Sequence, residues 1–389
     1  MELRFTKEQE QWRIRAQRFA ETEVDPAVSR MECADEFPAV IVGRLAELGL
    51  MGIPIPACWG GAGADFISYV AVIEELAKAS ATVGVILSVH TSVGTMPLIH
   101  FGNEVQKARY AANLASGRWL GAFALTEPHA GSDAAAIRTT AHKHQDHYIL
   151  NGTKVFITNG GAADTYLTFA VTDPDRGARG ITAFLVEKDT PGLHVGPLEK
   201  KMGLHGSNTR QLIYEDMHLP AAQRIGEEGQ GFAIAMGSLD GGRIGIAAQA
   251  LGIARAALET AFRVLGLNAP ARTGRTAGPA RKALGVLASE SDRLAELAAR
   301  TEAARLLVYR AAWLRQEGRP CTKEASMAKL FASDTAVAVA SEAISLLGPE
   351  GVGNELPLER LFRDAKVTQI YEGTNEIHRV VIGNARLKE

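Results

Sequence analysis

The 389-residue chain is poor in cysteine, in aromatic residues and in any excess of one charge. Its three cysteines, Cys33, Cys58 and Cys321, are scattered, odd in number and lack CxxC spacing. They give no basis for a disulfide framework or a cysteine metal site, and they fit a reducing compartment. The 42 basic residues nearly balance 44 acidic ones, leaving a formal charge of −2 with no long run of either sign. That balance argues against nucleic acid or an anionic membrane as the main partner. No apolar run reads as long enough to span a bilayer, and the N-terminus "MELRFTKEQEQWRIR" is charged where a secretory signal would be apolar, so a soluble intracellular protein is expected. The phosphate-binding GxxxxGK[ST] pattern is missing, as is a GxGxxG in a strand-turn-helix unit, and no internal repeat is found.

What is present is 46% apolar residues, enough to bury two or three domain cores. Up to about residue 120 the pattern is helical: Trp12, Ala16 and Phe19, then Ile41, Leu45 and Leu48, recur at the spacing of one buried helix face. Residues 53–65, "IPIPACWGGAGAD", form a loop in which Asp65 is placed to cap the next helix. From about 121 to 225 short β-rich runs take over, among them "TYLTFAVT", "GITAFLVEKD" and "RQLIYEDMHLP", and the Asn-Gly in "YILNGTKVFIT" is a hairpin signal. After "GEEGQGF" the helical period returns, with Leu251, Ala254, Leu258 and Phe262 on one face. A single β block between two helical segments points to an α+β multi-domain chain, because a doubly wound sheet would alternate βα units.

Candidate chemistry is sparse. In "TQIYEGTNEIHR", residues 368–379, Glu372 follows Ile370 and Tyr371 and precedes a flexible Gly373-Thr374-Asn375 run. Apolar neighbours would raise a carboxylate above its reference of about 4.3 and suit it to act as a general base. The ordinary alternative is a surface glutamate capping the next helix. His142, His144 and His147 in "AHKHQDHY" read as a solvated strand face flanking a hairpin, and no metal site is expected. In "ALTEPHAGSDAAAIRTTA" Thr126 closes a strand, Pro128 breaks it, and Gly131-Ser132-Asp133 offers hydroxyl and backbone donors, either for an oxygen-rich ligand or as a plain turn. In "GTKVFITNGG" Phe156 and Thr158 share a strand face, suited to a flat ligand or to core packing. In "SLDGGRIGIAAQALG" Asp240 and Arg243 sit in a Gly-rich helix start, as ligand contacts or as a local salt bridge.

Seven segments, in this order and spacing, resemble the acyl-CoA dehydrogenase family over nearly the whole chain: "ALTEPHAGSD", "LNGTKVFITNGG", "GITAFLVEKDTPGLHVG", "MGLHGSNTRQLIYEDMHLP", "LDGGRIGIAAQALGIARAALE", "KEASMAKLFAS" and "PLERLFRDAKVTQIYEGTNEIHR". The resemblance implies an N-terminal helical domain (1–120), a middle β-barrel or sandwich domain (121–228) and a C-terminal four-helix bundle (229–389). It implies a homotetramer, a dimer of dimers, with one FAD per subunit, in the bacterial cytoplasm or, for a processed eukaryotic form, the mitochondrial matrix. Glu372 matches the family's base, which takes the proton α to the thioester while a hydride leaves the β carbon for the flavin, giving a trans-2-enoyl-CoA. The thioester oxygen would be held by the backbone N–H of Glu372 and a flavin ribityl hydroxyl. Phe123, Leu125, Thr126, Gly131 and Ser132 resemble the stretch around the flavin ring, with Ser132 shared with the acyl-CoA. Phe156, Ile157 and Thr158 resemble the strand along the ring's other side. Asp240, Arg243 and Gly373 match acyl-CoA contacts, and Gly348, Thr374, Asn375 and Glu376 match FAD contacts. Some members carry the base on an earlier helix, at the position of Gly242 here; with glycine there, Glu372 has no rival.

The likeness to butyryl-type members in "LDGGRIGIAAQALGIA" and "EAARLLVYRAAWL" implies a short straight or branched acyl chain, with electron-transfer flavoprotein as acceptor. Two departures stand out. The stretch around residues 263–290, with Arg272 and Arg275, differs from the family's usual approach to a neighbouring subunit's FAD, and Ser345 and Pro349 in "SLLGPEG" replace an expected Gln and Gly. They keep open a non-catalytic acyl-CoA-binding subunit with a weakened FAD site. A flavin oxidase or monooxygenase on the same fold is the other alternative, and Glu372 in "YEGT" speaks against the members that replace this base with Asp.

Overall fold

The computed structural model describes residues 4–265 and 284–388, side chains excepted between 284 and 291. Arg272 and Arg275 lie outside the described residues. The chain opens with helices α1 (Lys7–Phe19), α2 (Asp25–Ala34), α3 (Ala39–Glu47), α4 (Phe66–Ala79), α5 (Ala81–Ser88), α6 (Met96–Phe101) and α7 (Glu104–Ala115). Polar side chains start them at the expected places: Thr6 and Gln9 form a capping box on α1, and Asp65 accepts from the Ser68 N–H at 2.7 Å to begin α4.

A mixed sheet of eight strands follows, in the order β6-β7-β3-β2-β4-β5-β8 with β1 paired to β4. The strands are β1 (Gly121–Ala124), β2 (Thr140–His144), β3 (His147–Ile157), β4 (Thr165–Val171), β5 (Ile181–Glu187), β6 (Leu193–Leu198), β7 (Arg210–Pro220) and β8 (Arg224–Ile225). Alternation along β4 and β5 feeds two cores. Leu167, Phe169, Ile181 and Leu185 pack with Leu98, Tyr110 and Leu114 of the helices, while Tyr166, Phe184 and Val186 join Tyr148, Leu150 and Tyr214.

The Asn-Gly pair is not a hairpin turn. Asn151 and Gly152 lie inside β3, at a bulge where the pairing with β7 shifts register. The glycine is needed for close approach, since a Cβ there would sit 2.5 Å from Thr139 Oγ1. The actual hairpin joins β2 to β3 through Gln145, which takes a left-handed φ of 55°. His147 stacks on His218 with ring centroids 4.9 Å apart, and among the described residues no group of three His, Cys, Asp or Glu side chains is arranged to hold a metal ion.

Three long helices and two short amphipathic ones close the described chain: α8 (Gly231–Val264), α9 (Leu284–Gln316), α10 (Thr322–Leu347), α11 (Leu358–Thr368) and α12 (Asn375–Arg386). They share one core with the first domain, in which Tyr69, Val70 and Ile73 of α4 meet Ile244, Ile246 and Leu251 of α8. The expectation of no membrane-length apolar run needs correction: two helical stretches, 81–101 and 322–350, reach it with a mean hydropathy of 1.4. The first is 89% buried in the protein's interior, and the second carries Lys329 and Asp334 and packs on α8, α9, α11 and α12.

Candidate active site

Glu372 stands in the six-residue turn between α11 and α12, with a left-handed φ of 53°. For a residue with a side chain that conformation costs roughly 1–2 kcal/mol, so the surrounding contacts must enforce it. The carboxylate presses on α8 at Gly242, where an added Cβ would sit 2.8 Å from Oε2 and 2.9 Å from Oε1. Oε2 is buried and has no hydrogen-bond partner. Burial pushes the carboxyl up to about 7, against the opposing charges of Arg243 and then Lys329. Ile370, expected beside the acid, is 53% exposed, so the burial comes from the α8 surface and not from that side chain. Nor does Glu372 cap α12, because Thr374 accepts from the Ile377 N–H at 3.4 Å and takes that role.

The turn is tied down on three sides. The Tyr371 hydroxyl donates to Gln249 of α8, whose amide in turn donates to the Ala81 carbonyl at 2.7 Å. From α10, Lys329 Nζ donates to the Gly373 carbonyl at 2.7 Å and to Asn375 Oδ1 at 3.0 Å. His378 is fully buried behind Gly373, with no partner on either ring nitrogen, and burial pushes it down to about 3, which keeps it neutral. Beside Gly242, Arg243 Nη1 donates to Asp240 Oδ1 at 2.9 Å, and Thr322 donates to Asp240 Oδ2 at 2.6 Å. Arg243 Nε is buried and unpartnered.

A second group of predicted residues lies on the sheet. Lys154 and Val155 of β3 bind the loop after β1: Lys154 Nζ donates to the Leu125 carbonyl at 3.0 Å, and the Val155 N–H to the Thr126 carbonyl at 2.9 Å. Lys154 also meets Glu127 at 2.8 Å, both side chains buried, and Glu127 accepts from the Arg138 and Thr139 N–H groups. This network sets Leu125 and Thr126 beside Phe156, Ile157 and Thr158. Phe123 is half-buried against Phe169, Ile157 turns into the sheet core, and Phe156 turns out, 65% exposed with a left-handed φ of 58°. Gly131 and Ser132 are exposed at the loop tip. Thr126, Ser132 and Thr158 spend their hydroxyls on no hydrogen bond among the described residues. The hydroxyls of Thr126 and Thr158 next to an outward aromatic ring fit the edge and face of a flat polar group such as a flavin, and Ser132 offers a third at the loop tip.

Helix α5 joins the two groups. Asn159, just past Thr158, donates to the Ile86 carbonyl at 3.2 Å, and Ser88 packs so tightly on α8 that a Cβ at Gly245 would sit 2.2 Å from its Oγ. Gly245 is one turn from Gly242 and so from Glu372. Gly348 is not brought in. It ends α10 at 19 residues beyond Lys329, roughly 28 Å along the helix. Ser345 is exposed and donates back to the Ser341 carbonyl. Asn375 is buried and donates to Ser333 and Asp334, whereas Glu376 is exposed.

Sequence reasoning passed over Lys329, Lys154 and Glu127, all buried. The trace was there: Lys329 interrupts a face of Ala325, Ala328 and Ala332, and a lone lysine in a small apolar stripe is seldom placed for solubility.

Comparison with known proteins covers the described fold from end to end. Residues 6–118, 122–217 and 229–387 match the models "Acyl-CoA dehydrogenase, N-terminal domain", "middle domain" and "C-terminal domain". The chain is 56% identical over 380 residues, 98% of each chain, to an acyl-CoA dehydrogenase of Bacillus subtilis. The fold superposes on butyryl-CoA dehydrogenase from Megasphaera elsdenii with a TM-score of 0.94 and 44% identity, covering 100% of both chains. A chain in a structure of the electron transferring flavoprotein of Acidaminococcus fermentans, concerned with flavin-based electron bifurcation, is equally similar, at TM-score 0.94 and 44% identity over 100% of both chains.

Proposed function

Because the chain belongs to the acyl-CoA dehydrogenase family, an FAD-dependent family of oxidoreductases, we propose that it oxidises the Cα–Cβ bond of a short straight or branched acyl-CoA to the trans-2-enoyl-CoA. The observation that carries this reading is the Glu372 carboxylate, its Oε2 buried and unpartnered against Gly242 on the part of α8 that α5 connects to Asn159, next to Thr158. A carboxylate held near pH 7 is ionised often enough to take a proton and basic enough to keep it. The Glu372 backbone N–H donates to no group among the described residues, so it is free to hold the thioester oxygen and stabilise charge as the α proton leaves. FAD, when bound, supplies the acceptor for the β hydride. Thr126, Ser132, Phe156 and Thr158 would hold its ring, with Thr374 beyond the base, while the Asn375 side chain is spent on Ser333, Asp334 and Lys329. Arg243 and Asp240 would orient the thioester arm, Asp240 accepting from its amides.

Electron-transfer flavoprotein as acceptor is supported by likeness to the A. fermentans structure, and a short chain by likeness to the M. elsdenii butyryl-CoA enzyme. A tetramer belongs to the same reading, since Gly348 lies too far along α10 to serve its own subunit's site and would meet a neighbour's FAD. The free thiols of Cys33, Cys58 and Cys321 suit a cytoplasmic setting.

A visible spectrum of the purified protein, repeated anaerobically while butyryl-CoA is added, tests the reading. A flavin band that bleaches is expected. A flavin band unmoved by any acyl-CoA, or a protein colourless after incubation with FAD, would overturn it.

A further inference from the structure

Lys329 is a lysine with no exposed side-chain surface, placed two turns into α10 among buried alanines. Burying an ammonium is costly unless it is well paired, so its partners indicate what the cost maintains. Its partners are the turn that carries the base and the start of α12 that follows it: the Gly373 carbonyl at 2.7 Å and Asn375 Oδ1 at 3.0 Å. The second acceptor is aimed. Asn375 spends its amide donors on Ser333 Oγ at 2.9 Å and Asp334 Oδ1 at 2.8 Å, which leaves its oxygen facing the lysine. Lys329 therefore grips the residue immediately after Glu372 and the first residue of α12, while Tyr371 is held from the opposite side by Gln249. Between those two anchors lies the left-handed Glu372.

We propose that Lys329 is a positioning residue for the base, holding the Glu372 turn in its strained conformation and, through its charge, keeping the Glu372 carboxylate ionised at working pH. This rests on the reading of Glu372 as the base. The charged or titratable groups facing Glu372 are Arg243 from α8, Lys329 from α10, Tyr69 from α4, Tyr371 in its own turn and His378 from α12. Those facing Lys329 are Glu372, Asp334 on its own helix, Arg243 and Glu376. His378 is held neutral and the two tyrosines are pushed up by burial. Arg243 already shares its charge with Asp240. Lys329 is thus the cation whose protonation changes in the range that matters, since burial brings it down to about 7.

The test is a direct titration of the Glu372 carboxyl by infrared difference spectroscopy, the band assigned by its loss in Glu372→Gln, in the wild type, Lys329→Met and Lys329→Arg. Lys329→Met is expected to move the midpoint up by about one pH unit. It should shift the acid limb of the flavin-bleaching rate by the same amount, with little change in the acyl-CoA concentration for half-maximal rate. Lys329→Arg keeps a permanent charge and is expected to titrate at or below the wild-type midpoint. A midpoint unmoved in Lys329→Met, or identical in Met and Arg variants that fold by circular dichroism, would reduce Lys329 to a structural part and overturn the proposal. Should Lys329→Met fail to fold, Lys329→Arg decides alone: a midpoint above the wild type overturns it. If no acyl-CoA bleaches the wild-type flavin, the functional reading fails, and the infrared titration still decides whether Lys329 sets the charge of Glu372.

Discussion

Two sets of buried carboxylates, both lying against α8, are treated in opposite ways. Glu74 and Glu75 of α4 are 2% and 3% exposed, and their oxygens are spent: Arg255 reaches Glu74 at 2.6 Å and Glu75 at 3.1 Å, Arg13 reaches Glu75 at 3.0 Å, and Tyr309 donates to Glu74. Glu372 is partly buried as a residue, and its Oε2 is fully buried, unpartnered and pressed against a glycine. The first cluster ties the N-terminal helices to the C-terminal bundle, and pairing there maximises attraction. On the proposed reading of Glu372 as the base, the second would be ruined by a direct partner, because a carboxylate that accepts strong hydrogen bonds loses basicity. Its two cations act from a distance, and the nearer grip, from Lys329, goes to the backbone and not to the carboxylate.

The widest separation between the two sites should appear in Glu372→Gln. We expect flavin and acyl-CoA binding to persist while the anaerobic bleaching rate falls by at least ~10³-fold; stopped-flow retention of a tenth of the wild-type rate would remove Glu372 as the base. Arg255→Met should do the reverse. It strips one guanidinium from two buried acids and is expected to lower folding stability by about 3 kcal/mol, read as a lower urea midpoint, with the bleaching rate of folded enzyme unchanged. A large rate loss in this variant would mean the clusters are coupled through α8. Smaller again is Gly242→Ala. The new methyl must displace the Glu372 carboxylate or α8 by a few tenths of an ångström, and a slowing of roughly 30-fold with near-normal stability is expected; an unchanged rate would show that the carboxylate does not work from the position seen here.

The sequence carried the contrast only in part. Helix, strand, helix order was legible from periodicity, and Asp65 as a cap from its place before an apolar run, because those signals are local. The Asn-Gly in β3 misled for the same reason: a hairpin signal and a bulge signal are the same dipeptide, and only the approach of Thr139 tells them apart. Motif likeness singled out Glu372, Asp240 and Arg243. It could not supply the reason Gly242 must be a glycine, since that contact spans 130 residues of chain, nor could it assign Lys329 a role within "KEASMAKLFAS". Long-range close approach leaves no local pattern, apart from a charged residue in an apolar stripe.

The smallest effect is the most diagnostic, because the same substitution should change sign between the two sites. The folded-state pKa of Glu372 is raised to about 7 from 4.5, so the folded protein holds this proton more tightly than the unfolded chain. The stability it contributes is full below pH 4.5 and is lost as pH rises through 7. Such a shift corresponds to at most about 3 kcal/mol, and partial exposure of the residue brings it to about 1–2 kcal/mol. Glu372→Gln should therefore match the wild type in urea denaturation at pH 4.5 and exceed it at pH 8. Glu74→Gln should be less stable than the wild type at pH 8, since it discards a paired charge and leaves Arg255 short of a partner. If both variants lose stability at pH 8, Glu372 is held as a structural acid, and its unpaired oxygen is not strain kept for proton transfer. If they diverge, the enzyme gives up stability at the residue where chemistry requires an unsatisfied base and recovers it where chemistry requires nothing.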